Sequence, residues 1–144
     1  MEEFREILKD LIMETGMSLR QLEKESGVSA MQFSRYLRGA IPTIEVVLRI
    51  AKYFNCSVDF LFGLDSEKNT KKYTTYDFKI EGFVDRYCKL LKKNNITNYK
   101  FAQTSMFDES IIRHWRAGTT PRLDIVFVIA KDLGGSMDEL IGRY

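Results

Sequence analysis

The chain is 144 residues long, 44% hydrophobic and 29% charged, with a formal net charge of +2. That length suits one ordinary domain or two small ones, and that composition excludes an intrinsically disordered chain. No apolar run approaches the ~20 residues of a membrane-spanning helix, and the acidic, amphipathic start Glu2-Glu3-Phe4-Arg5 is unlike a secretory signal, so the expected compartment is the cytoplasm, with no membrane partner.

In chain order, Phe4, Leu8, Leu11 and Ile12 recur at helical spacing and predict a first amphipathic helix. Ser18 opens a second as its N-cap, with Gln21 as capping-box partner, and Gly27 ends it. Ser29 caps a third, again with a Gln three residues on (Gln32), and Gly39 with Pro42 stops it. Thr43 starts a fourth helix whose buried stripe is Val47, Ile50, Ala51 and Phe54; Ser57 starts a fifth carrying Val58 and Leu61. From Asp65 to Phe78 the chain is polar, of mixed charge, and free of Pro and Gly. It reads as an extended tether whose Tyr73, Tyr76 and Phe78 are placed to dock on a neighbouring domain. Phe83, Tyr87, Leu90 and Leu91 then restart the first stripe, and Thr97, Asp108 and Ser136 recur as caps. No stretch alternates with period two, so the predicted class is all-α.

Slid against itself by 79 residues, the sequence aligns 4–63 with 83–142 without a gap. Thirteen pairs are identical, among them Phe4/Phe83, Gly39/Gly118, Pro42/Pro121, Ile50/Ile129, Ser57/Ser136 and Asp59/Asp138. This implies a duplication: two tandem five-helix units at 1–64 and 79–144, joined by a linker at 65–78. Charge is unequal between them. Residues 1–63 carry eight Lys and Arg against nine Asp and Glu, whereas 79–144 carry eleven against eight.

The segment from Ser18 to Pro42 holds the marks of a helix-turn-helix: Ser18, Leu22, the turn Ser26-Gly27-Val28-Ser29, Phe33, Tyr36, Gly39 and Pro42. In these marks, and in Ile50-Ala51 and Ser57-Val58-Asp59-Phe60-Leu61 beyond them, it resembles the lambda-repressor-like, XRE-family transcriptional regulators. The resemblance implies double-stranded DNA as partner and a recognition helix at 29–38. Elementary geometry agrees, because a tight turn holds the second helix steeply enough for its N-terminal half to enter the major groove. With Phe33 and Tyr36 facing the core, Ala30, Met31, Gln32, Ser34 and Arg35 face outward as candidate base readers. Gln reads adenine through two bonds, Arg reads guanine, and Ala or Met touches a thymine methyl. Ser18, Arg20 and Arg38 suit phosphate. Glu23 departs from the family, which carries a small Ala there.

The second unit resembles the same family less closely. Met106 replaces the turn glycine, which costs on the order of 1 kcal/mol at positive φ unless the turn has changed shape. Ala102 restores the family's Ala, and Trp115 takes the place of Tyr36. Its expected recognition helix is 108–117, with Glu109, Ser110, Arg113, His114, Arg116 and Arg122 as candidate DNA contacts. Arg113, His114, Arg116 and Arg122 form a cluster that suits phosphate; Glu109 opposes it unless it accepts from a cytosine amino group.

Nothing points to catalysis. His114 is the single histidine, no phosphate-cradling glycine loop is present, and no Cys or His has a partner at metal-ligand spacing, so no metal, cofactor or catalytic group is expected. Cys56 and Cys88 read as packing residues. A homodimer would present four such units. The competing reading is a protein-interaction module on a repressor-like scaffold, such as an antitoxin or anti-repressor, with a protein as its partner.

Overall fold

The computed structural model describes residues 2–68, 78 and 80–143. Among these residues the chain is all helical: α1 (Glu2–Thr15), α2 (Leu19–Ser26), α3 (Ala30–Leu37), α4 (Ile44–Phe54) and α5 (Val58–Leu61), then α6 (Ile80–Lys93), α7 (Asn98–Ser105), α8 (Ile111–Arg116), α9 (Leu123–Leu133) and α10 (Met137–Leu140). Helix lengths of 14, 8, 8, 11 and 4 residues in the first half recur as 14, 8, 6, 11 and 4 in the second.

The helix starts follow from local chemistry. The side chains of Ser18, Ser29, Thr43 and Ser57 each accept the backbone N–H three residues on, and Ser18 and Ser29 complete capping boxes with Gln21 and Gln32. Thr97 and Ser136 do the same for Lys100 and Glu139. Each such cap satisfies a donor that the first helical turn cannot.

In the first half Phe4, Leu8, Leu22, Phe33, Ile50 and Leu61 are buried, and Phe4 stacks on Phe62 at 4.8 Å. Burying each of these side chains stabilises the fold by about 1.5–3 kcal/mol. In the second half Trp115 sits edge-on to Phe83 and Tyr87, at 5.0 and 5.6 Å. Cys56 is buried, and desolvation pushes its thiol up to about 12; neither cysteine is in a disulfide. Of the aromatic residues placed in the linker, Phe78 is half-buried and packs against Phe83 at 6.1 Å, while Tyr73 and Tyr76 lie outside the described residues.

The buried side chains of both halves belong to one hydrophobic cluster. The halves meet where α5 packs against α10. The Asp138 carboxylate accepts the N–H groups of Val58 and Asp59, at 2.9 and 2.8 Å. In return the Asp59 carboxylate accepts the Met137 N–H at 2.7 Å and the Ser136 hydroxyl. Each short helix thus has first-turn N–H groups satisfied by the aspartate of the other. Buried Arg143 donates to Asp138 at 2.7 Å and to the Cys56 carbonyl, and Phe62 faces Phe127 across the seam at 6.2 Å.

Candidate nucleic-acid interface

The turn between α2 and α3 is built from the backbone outward. Gly27 takes φ 76, in the left-handed region that a residue without Cβ enters freely, and its N–H bonds the Glu23 carbonyl. Val28 beyond it is fully buried and anchors the turn. On α3, Phe33 and Tyr36 face inward, with Tyr36 edge-on to Phe4 at 6.3 Å, which sets the roll of the helix. Met31 is 66% exposed on the opposite face, beside exposed Arg35. Ala30, Gln32 and Ser34 are half-buried.

Two candidates have prior commitments. The Gln32 Oε1 accepts the Ser29 N–H at 3.0 Å, so a two-bond contact to adenine requires that bond to break, whereas its amide N–H groups remain on offer. The Ser18 hydroxyl caps α2 in the same way. Arg20 and Arg38 are both exposed; the Arg38 Nε bonds the Ser34 carbonyl and leaves its outer donors at the end of α3. Glu23, at the position where the sequence departs from its family resemblance, is exposed and accepts the Ala30 N–H at 3.3 Å. It therefore adds a negative charge to the start of α3.

The second half keeps the turn and remodels the helix. Met106 holds φ 62, so the turn has not changed shape to spare it, and its side chain is 93% exposed. The helix expected at 108–117 is shorter, at Ile111–Arg116. Asp108 was the expected N-cap, but the N-cap position falls on Ser110, which lies in the αR region without a side-chain cap. Asp108 instead accepts the Ser110 N–H two residues on, at 2.8 Å, and hydrogen bonds from Ser110 hold its carboxyl below the usual range. The Glu109 carbonyl is drawn off by Asn98 Nδ2 at 3.0 Å, and Tyr87 in turn donates to Asn98 Oδ1. A polar relay thus stands where the first half has Leu8 and Leu19. Arg113, His114 and Arg116 are exposed together on α8, Glu109 is exposed before it, and Ser110 is half-buried. Arg122 is not on that helix. It precedes α9 and is paired with Asp124 at 2.8 Å.

The loops that leave α3 and α8 share one cleft of about 410 Å³. Its walls are Gly39 and Ile41 to Ile44 from one half and Thr120 to Asp124 from the other, so equivalent segments face each other. The cleft and the reciprocal aspartates are the features that inspection of the linear sequence missed. The signal for the second was available: an aspartate at the same place in both five-residue Ser-x-Asp-x-Leu segments.

Two short helices, a tight glycine turn and an outward polar second helix define the helix-turn-helix class. Residues 8–61, from within α1 to the end of α5, match the helix-turn-helix family. No curated protein and no solved structure matches the chain. Among the described residues no helix is long and apolar enough to cross a membrane, and no group of three His, Cys, Asp or Glu is arranged to hold a metal.

Proposed function

We propose that the chain is a sequence-specific, repressor-like transcriptional regulator that places α3 in the major groove of double-stranded DNA. One observation carries this reading: the Gly27 turn presents α3 with Phe33 and Tyr36 locked inward and Met31 and Arg35 free on the outer face. Arg35 reads guanine, Met31 and Ala30 touch thymine methyl groups, and Gln32 and Ser34 supply polar contacts at the groove edge. Arg20, Arg38 and the start of α2 at Ser18 hold phosphates and set the register. Residues 1–64 and 79–144 form the two units, joined by 65–78, and the second adds Arg113, His114 and Arg116 against the backbone. No cofactor or catalytic step belongs to this function.

Selection of bound duplexes from a random pool at low salt tests it. The enriched duplex should lose affinity steeply as salt rises, because phosphate contacts release counterions. Arg35→Ala should cost about 1–3 kcal/mol on that duplex and relax preference at one base pair, whereas Arg38→Ala should weaken all sequences alike. Unchanged base preference in the double variant Arg35→Ala, Gln32→Ala would refute the recognition role. Failure to retain any duplex, with capture of a protein instead, would favour the interaction-module reading.

A further inference from the structure

Three observations converge on how many chains, and what kind of duplex, make the complex. First, the surface where α5 meets α10 is already occupied within one chain: Asp59 and Asp138, equivalent under the 79-residue offset, cap each other's helices. That is the isologous contact of a twofold dimer, in which each residue meets its own counterpart, realised here inside a single polypeptide. Second, the loops that follow α3 and α8 line the two walls of one cleft, so the ends of both helices approach the seam between the halves. Third, none of the candidate contact positions of the first half carries the same residue as its equivalent in the second. Ala30, Met31, Gln32, Ser34 and Arg35 correspond to Glu109, Ser110, Ile111, Arg113 and His114, and α8 begins two residues later than α3 relative to its half.

We propose that one chain is by itself the complete reader, a covalent counterpart of a twofold dimer that binds 1:1 to a duplex with two unlike half-sites at one fixed spacing. This rests on the DNA-binding reading above and adds stoichiometry, spacing and asymmetry to it. The aspartate pair acts as a positioning device: it touches no base, and it holds α3 and α8 at the separation the duplex must match. Four carboxylate hydrogen bonds, the Arg143 bridge and the Phe62–Phe127 contact hold the two halves as one body.

The test uses the full chain and its selected duplex. Native mass spectrometry should record one chain per duplex, and the enriched sequence should be non-palindromic. Replacing either half-site by the inverted copy of the other should cost about tenfold or more, as several mismatched base pairs do. Inserting about ten base pairs, one helical turn, between the half-sites restores the facing of the grooves but not their distance. The intact chain should lose its two-site affinity on that duplex. The double variant Asp59→Ala, Asp138→Ala should instead bind the inserted and original duplexes within about threefold of each other, because the four hydrogen bonds that fix the two helix ends against each other are then gone and the seam between the halves can open. Circular dichroism on the double variant confirms that its helices persist; should they not, the insertion experiment on the intact chain still decides. A palindromic site, two chains per duplex, or an intact chain indifferent to the insertion would overturn the single-chain reader while leaving DNA binding in place. Retention of no duplex at low salt would overturn both.

Discussion

Gly27 and Met106 occupy equivalent turns, and both lie in the left-handed region, at φ 76 and φ 62. Glycine enters that region at little cost, whereas a residue with a Cβ gives up roughly 1–2 kcal/mol there. Met106 recovers none of this by burial, since 93% of its surface faces solvent. The backbone path is therefore imposed by the packing on either side of it, by Phe101 and Ala102 before and Trp115 after. The same comparison shows where tolerance ends. After Gly27 the next helix starts at once with a complete capping box; after Met106 it starts late, with Asp108 turned to Ser110 and Asn98 holding the Glu109 carbonyl. A half can keep a strained turn and still change the face it shows to a partner.

The asymmetry can be broken or sharpened at four places. The largest effect should come from Asp138→Ala, which strips the acceptor from Val58 and Asp59 and leaves the buried Arg143 without its carboxylate. Urea denaturation should show a loss of about 3–5 kcal/mol, as for other broken buried pairs. Asp59→Ala leaves the Arg143–Asp138 pair in place and should cost less. Equal losses would show that the two aspartates are interchangeable, against the charge arrangement described here.

The next effect is on pH. Burial, then the neighbouring Asp138, pushes the Asp59 carboxyl up from 3.8 to about 7. Between about pH 4 and pH 7 the unfolded chain has this group ionised while the folded chain keeps its proton, so unfolding releases a proton. This group's contribution to stability therefore falls as pH rises through that window and levels off above it. The thermal midpoint should be higher near pH 5 than near pH 8, and Asp59→Asn should flatten that part of the profile. A rise across the window that Asp59→Asn leaves untouched would contradict the assignment.

Exchanging the turn residues comes third. Met106→Gly should stabilise by about 1 kcal/mol and Gly27→Met should destabilise by about as much. Chemical denaturation of the two single variants reads both signs. The smallest effect belongs to Glu23→Ala. Its bond to Ala30 is exposed, so stability should stay within about 0.5 kcal/mol. The lost negative charge at the start of α3 should nevertheless raise affinity for the selected duplex in a gel shift at low salt, and unchanged affinity would place that end of α3 away from phosphate.

Much of the fold is legible in the amino-acid sequence. Caps such as Ser18, Ser29, Thr43 and Ser57 act within four residues of themselves, so their pattern in the chain is their pattern in space. The inward placement of Phe33, Tyr36 and Trp115 follows from helical periodicity, and the Gly27 turn from conformational preference. The candidate base readers were legible only as an outward face. That Asn98 holds the Glu109 carbonyl, and that Arg122 stands off α8 with Asp124, are matters of rotamer and neighbour that spacing does not encode.

Local chemistry along the chain thus determined most of the helix starts among the described residues and the turn at Gly27. Only the tertiary structure decided that the repeated aspartates meet. Asp59 and Asp138 are 79 residues apart, and their bonds form only when two helix ends converge and exclude water. A carboxylate on a short helix is ordinarily a solvated surface group; here the approach of a second helix N-terminus makes each aspartate the cap of the other half. That approach, and with it the pairing of the α3 and α8 loops across one cleft, is a property of the assembled core and not of either segment.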